Sequence, residues 1–176
     1  ITLSVMGQQA TVRSFQKRPH FLLVKTEMGG MTLSQQLFDG KKFAIASPMG
    51  SQEFTEGPPF EQGRMQSVLF PELNFASMGV SMKLMGAESL DGVNVYRVEV
   101  TDPSGNKTNE YYNMETGLKI RSVSEGGIAT YSDYKEVNGI KFPHKIVQEA
   151  GPQVIEMKVV ETKVNSGLKE DIFRIQ

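Results

Sequence analysis

Between Glu110 and Pro143 the chain repeats one pattern: a short segment with apolar residues at alternate positions, then a glycine-bearing turn. Tyr111-Tyr112-Asn113 runs into Glu115-Thr116-Gly117, Leu118-Ile120-Ser122 runs into Glu125-Gly126-Gly127, and Ala129-Tyr131-Asp133 runs into Asn138-Gly139 before Ile140-Phe142-Pro143. Period-two alternation broken by such turns predicts a β-meander. Asn138-Gly139 supplies the two positive-φ residues of a type I′ turn, whose twist matches the flanking strands, so a tight hairpin joins Lys135 to Lys141. This stretch excludes a helical bundle, and it sets the fold class before any chemistry is considered.

The same texture covers most of the remaining chain. Ile1-Leu3-Val5, Ala10-Val12, Phe21 to Lys25 and Met31-Leu33-Gln35 read as strands, with Met28-Gly29-Gly30-Met31 as a turn and Asp39-Gly40 as a two-residue hairpin before Phe43-Ala44-Ile45. Val93 to Val100 and Val154 to Val159 alternate in the same way. Strands spaced by about ten residues with turn chemistry between them belong to an antiparallel sheet or barrel, not to βαβ units. One region departs from this. After Pro58-Pro59, residues Phe60, Arg64, Met65, Val68, Leu69 and Leu73 recur at helical spacing, with Pro71 limiting the helix, and Phe75 to Met85 reads as a short helix or loop entering an extended segment.

The 176 residues suffice for one domain, which at this size buries roughly 70% of its unfolded surface. Nineteen basic and twenty acidic residues leave a net charge of −1 without long runs, which argues against a nucleic-acid partner or an anionic membrane surface. The absence of cysteine removes thiol nucleophiles, disulfides and thiolate metal sites. No apolar run reaches the ~20 residues of a membrane helix.

Chemistry-bearing patterns are sparse. His20 and His144 each sit beside a proline, at strand edges or the surface, without the spacing of a zinc site. Asp133, Lys135 and Glu136 read as paired surface charges rather than an acid-base pair. There is no Gly-x-Ser-x-Gly elbow and no Ser-x-x-Lys, so no catalytic residue is assigned. Gly86 to Gly92 and Gly105-Asn106 read as turns rather than a phosphate cradle, and no cofactor is expected. Tyr111 and Tyr112 must face opposite sides of a sheet, in an order the sequence leaves open. Seven of the ten methionines fall between residues 28 and 85, either as filler for irregular gaps or as a pliable apolar binding surface.

Several of these phrases resemble the periplasmic lipoprotein-carrier and receptor superfamily, the LolA and LolB fold. They are the Asp39-Gly40-Lys41 hairpin, the central helical stretch, Tyr111 to Leu118, Tyr131 to Pro143, and Val164-Asn165 before Phe173. The nearest flavour is that of carrier-like domains of Bacteroidetes-type bacteria, some of which end zinc-peptidase-like envelope proteins. The resemblance covers almost the whole chain and implies a mainly β fold with a few short helices. Its single curved antiparallel sheet would form a half-open, unclosed barrel, with residues 58–85 as a helical lid over an apolar cavity. It implies one domain over 1–176 and an N-terminal helix that would precede Ile1, so the chain is expected to be a trimmed form or part of something longer. The carrier's lid-latching arginine would fall at Leu22 or Leu23, where no arginine stands, so its energy-driven loading cycle is not carried over.

The function so implied is non-enzymatic binding or transport of a lipid, a lipoprotein acyl chain or another hydrophobic ligand in the envelope of a Gram-negative bacterium. Phe21, Leu23, Leu33, Phe43, Val68, Leu69, Phe70, Met82 and Leu84 are the expected wall and lid residues, chosen for apolarity and place in the lid or its facing strands. The alternative is an accessory or interaction module of a larger envelope protein, such as a peptidase-associated one, that uses the fold as a scaffold.

Overall fold

The computed structural model describes residues 1–5 and 8–174. Their strands form one antiparallel sheet of thirteen, not closed into a barrel, with a single α-helix among the described residues. The mainly β reading of the sequence therefore holds. The chain divides into two compact units, one of residues 1–72 with 163–176 and one of residues 73–162.

The first unit carries β1 (Thr2–Val5), β2 (Gln8–Lys17), β3 (Phe21–Met28), β4 (Met31–Phe38), β5 (Phe43–Ser47) and β6 (Gly50–Phe54), each antiparallel to the next. Met28 pairs with Met31 across Gly29-Gly30, so the turn expected there is present, and the φ values of 57° and 81° make it type I′. Phe38 pairs with Phe43, so the Asp39-Gly40 hairpin closes over four residues rather than two. The reason is Asp39 itself, whose Oδ1 accepts the backbone N–H groups of Lys41 and Lys42 at 2.9 Å each and holds a wider loop.

Phe21-Leu22-Leu23-Val24 is apolar without alternation because both faces of β3 are covered. On one face Leu22, Phe38 and Phe43 cluster with Phe54 and Phe60, the last from the helix α1 (Gly57–Gln66). On the other, Leu23, Leu37 and Ala44 cluster with Phe173, joined by Leu168 and Ile172 of the C-terminal segment. Phe173 lies 5.2 Å from Phe21 between ring centroids, and Lys17 pairs with Glu170 at 3.1 Å, which ties that segment to the sheet.

The helix is shorter than its apolar spacing suggests. Pro58 and Pro59 occupy its first turn, where missing N–H groups cost nothing. Ser67 ends it, donating its hydroxyl to the Arg64 carbonyl at 2.7 Å, and Phe70 takes a φ of 52°. Val68, Leu69 and Leu73 thus fall outside the helix, and two 3-10 turns, Pro71–Leu73 and Ala76–Met78, follow. Residues 58–85 are therefore one helix, two short turns and the start of a strand.

The second unit runs β7 (Ser81–Leu90), β8 (Val93–Thr101), β9 (Lys107–Asn113), β10 (Lys119–Ser124), β11 (Gly127–Val137), β12 (Ile140–Ala150) and β13 (Gln153–Lys158), again in sequential antiparallel order. The meander from Glu110 to Pro143 is present, and Asn138 and Gly139 have φ values of 52° and 80°. Gly86 does not form a turn. It sits at a bulge inside β7, where the pairing with β8 shifts between Leu84 and Gly86. His144 is buried within β12, its Nδ1–H donating to the Phe142 carbonyl at 3.0 Å, whereas His20 is exposed as expected. His144 is not an edge residue because β12 pairs on both sides, with β11 and with β13.

Candidate functional site

Pairing registers sort the side chains of the second unit onto two faces. Leu84 pairs with Val98, Val98 with Glu110, Glu110 with Ser122, and Ser122 with Ala129, so these five share one face. Met82, Val100 and Thr108 form the next row on it. The opposite face carries Lys83, Glu99 and Asn109 in one row and Arg97, Tyr111 and Arg121 in another. Ion pairs populate that side: Lys107 with Glu99 at 3.1 Å, Arg121 with Asp91 at 2.7 Å. One face is thus predominantly apolar near β7 and β8, and the other carries these ion pairs beside the fully buried Val95.

Tyr112 shares the Val98 face, and Tyr111 lies on the charged one. This settles the order that alternation alone left open. On the Val98 face stands a polar cluster. Glu110 is 8% exposed, its Oε1 lies 3.2 Å from Lys119 Nζ, and its Oε2 accepts the Tyr112 hydroxyl. The Lys119 ammonium lies 5.7 Å from the centre of the Tyr131 ring, and the Tyr134 hydroxyl donates to the Lys119 carbonyl. No sequence motif marks Glu110 and Lys119 as partners. Their meeting follows from a hairpin register, and the residues nine apart carry no special spacing.

Met82 and Leu84 keep 56% and 62% of their surface exposed, on a strand in which every residue except Leu90 is exposed. β7 ends the sheet and pairs with β8 alone among the described strands. Of the other residues expected to line a ligand site, Phe21 and Leu23 pack with the C-terminal segment, Phe43 packs with the helix on the opposite face, and Leu33 is the extra residue of a bulge opposite Thr26 and Glu27. Val68 and Leu69 are half-buried and Phe70 is exposed. The first unit therefore does not bring Leu23 and Phe43 together.

Two hollows are lined mainly by polar residues. One of about 350 Å³ is bounded by Asn106, Lys107, Thr108, Ser124, Glu125 and Gly126, and one of about 180 Å³ by Thr32, Gln35, Ala46, Ser47 and Pro48. Beside the first, Asp102 organises its loop by accepting the Asn106 side-chain amide at 2.8 Å and the backbone N–H groups of Ser104 and Asn106. The Asn106 side-chain bond, with these backbone donors, holds the Asp102 carboxyl below its ordinary value. Loop order contributed by this carboxylate is present above the unfolded-state value and is lost as pH falls through the lower folded one. A ¹³C-detected titration of Asp102 should show a depressed midpoint that rises toward, without reaching, the ordinary aspartate range in Asn106→Ala, where the backbone donors remain.

Among the described residues no group of three or more His, Asp or Glu side chains could hold a metal ion, and no helix is long and apolar enough to cross a membrane.

No protein-family model and no curated protein matches the sequence. Solved structures do match in three dimensions. A LolA superfamily protein from Nitrosomonas europaea superposes with a TM-score of 0.70 at 16% identity, covering 99% of this chain and 86% of that one. The chain shares the fold of that protein. A domain from Vibrio parahaemolyticus assigned to the outer membrane lipoprotein-sorting proteins gives a TM-score of 0.68 at 13% identity over 98% of this chain and 85% of its own. A DUF1329 family protein from Desulfovibrio piger gives 0.66 at 15% identity, with 98% and 86% covered. The LolA-like fold expected from the turn phrases is thus present at sequence identities where the sequences have diverged almost completely.

Proposed function

We propose that this protein binds a hydrophobic ligand, a lipid or a lipoprotein acyl chain, in the periplasm or cell envelope, as a carrier rather than an enzyme. The observation that carries this reading is the apolar end of the Val98 face, where Met82 and Leu84 stand exposed beside Val98 and Val100. Exposed large apolar side chains grouped on one face mark interaction or ligand surfaces, whereas scattered ones do not. The LolA-like fold, shared with a domain assigned to lipoprotein sorting, supports the choice of an acyl chain over other apolar ligands. The unbranched Met82 and Met85 suit a ligand of variable shape, since thioether side chains repack at little cost.

Displacement of a fluorescent fatty acid tests the reading. Saturable binding is expected, and Leu84→Asp should weaken it by about tenfold, the equivalent of losing ~1.4 kcal/mol of apolar contact. Because Leu84 is exposed, the variant should keep its unfolding midpoint. Absence of binding by the unaltered protein, together with no lipid retained in native mass spectra of protein purified from an envelope, would overturn it.

A further inference from the structure

β7 ends the sheet, and every residue in it except Leu90 is exposed. Along such an edge a row of N–H and C=O groups points away from β8, and among the described residues no backbone bond outside the β8 ladder meets them. Open edges are templates for another strand, and proteins restrain them with lysines and bulges. β7 has both. Lys83 supplies the charge, and Met85 is the extra residue of the bulge, without a partner between the pairs Leu84↔Val98 and Gly86↔Arg97.

The bulge shifts the alternation of β7. Before it, Lys83 lies on the Arg97 face and Met82 and Leu84 on the Val98 face. After it, Gly86 and Glu88 lie on the Arg97 face and Ala87 and Ser89 on the Val98 face. An antiparallel neighbour sets residues of one face opposite each other. A regular strand laid along this edge stays in step only by repeating the interruption that β8 makes. A second copy of β7 in two-fold register needs no interruption, because bulge meets bulge. Lys83 falls opposite the copy's Glu88, Leu84 opposite its Ala87, Met82 opposite its Ser89, and Ser81 opposite its Leu90, each pair sharing a face. A shift of one residue either way sets Lys83 opposite Ala87 or Ser89, which belong to the other face.

The same register is complementary in charge, since Lys83 meets Glu88 at two symmetry-related places. Within one chain Lys83 faces Glu99, whose carboxylate is taken by Lys107 at 3.1 Å, and Glu88 lies 3.8 Å from Arg97, too far for a hydrogen bond. The two devices that restrain an edge thus select its own copy. The geometry points to β7 as a self-recognition edge, through which two copies of this chain join in antiparallel, two-fold register as a symmetric dimer. Leu84 then adjoins the copy's Ala87, so the apolar ends of the two Val98 faces meet at the junction. One strand edge is small beside a standard interface, and the association is accordingly weak and reversible.

Sedimentation equilibrium of the full chain at concentrations up to about 1 mM measures the association, and amide hydrogen exchange locates it. A monomer–dimer equilibrium is expected, in which the amides of residues 82–89 that point away from β8 gain protection as the dimer fills. Lys83→Glu sets like charges opposite each other at both places and should weaken the dimer by about tenfold, as should Glu88→Lys. An equimolar mixture of those two variants should regain it, because the mixed pair restores opposite charges at both places. Circular dichroism checks folding. Should Glu88→Lys fail to fold beside Arg97, the Lys83→Glu/Glu88→Gln variant removes the repulsion and should associate more tightly than Lys83→Glu. A monomer at every concentration overturns self-pairing and leaves the edge to some other extended segment. A dimer indifferent to Lys83→Glu, a dimer whose 82–89 amides stay unprotected, or repulsion that neither the mixture nor Glu88→Gln relieves overturns it as well. Acyl binding is read by displacement and stands or falls separately.

Discussion

Phe38→Ala is expected to lower the unfolding free energy by about 3–5 kcal/mol, the range for emptying a fully buried aromatic site. Phe38 is 1% exposed, pairs across the sheet with Leu22 and Phe43, and lies 5.3 Å from the Phe60 ring at a 53° tilt. Phe60 is one of few apolar residues in a helix of composition GPPFEQGRMQ, so its dock on Phe38 is a large share of what holds the helix to the sheet. The other share is close approach. A Cβ on Gly63 would stand 2.4 Å from the Phe43 ring, so only glycine lets the helix backbone settle there. Urea titration gives the magnitude, and hydrogen exchange gives the location: amides of residues 61–66 should lose protection in Phe38→Ala before those of β3. Leu37→Ala, on the face covered by Phe173, should cost about 2–5 kcal/mol but leave the helix amides protected. If both variants loosen the helix equally, the two faces are not independently covered.

This two-sided packing explains which parts of the fold were legible in the sequence. Turn residues announce themselves because few residues accept positive φ, so Gly29-Gly30 and Asn138-Gly139 mark hairpins whatever surrounds them. Alternation from Val93 to Val100 was readable because Val98 and Val100 fall on one face of β8 and Arg97 and Glu99 on the other. The helix end was not readable. Val68 and Leu69 keep the helical spacing, yet the Ser67 hydroxyl bond and the positive φ of Phe70 turn the chain away, and those depend on local geometry rather than hydrophobic period. Gly86 reads as a turn residue and is a bulge, because a glycine signals unusual backbone without saying which kind.

The candidate site shows the same division. Met82 and Leu84 stood out for apolarity, and they lie exposed on the edge strand β7. Glu110 and Lys119 did not stand out, because the Ile120 bulge that brings Lys119 to Glu110's face is a pairing shift with no signature in composition. A strand read as Leu118-Ile120-Ser122 keeps one regular alternation. The pairing partner β9 breaks it, and the chemistry of the face depends on that break.

Gly127→Ala should be the most damaging conservative change in the second unit, costing about 2–5 kcal/mol from backbone strain and overpacking together. Gly127 begins β11 with a φ of 125°, and a Cβ there would lie 2.0 Å from the Glu149 carbonyl oxygen and 3.2 Å from the Ala150 Cα on β12. Both obstacles are backbone, so no rotamer change relieves them; the end of the β11–β12 ladder near Ile128↔Glu149 must open. Gly139→Ala provides the comparison. Its φ of 80° is also left-handed, but nothing lies within 4 Å of the added atom, so only the conformational cost of about 1–2 kcal/mol remains. The difference between the two unfolding free energies isolates the clash. Equal stability losses in the two variants would mean that the neighbouring strand yields to the added methyl and that the close approach at Glu149 is not a constraint.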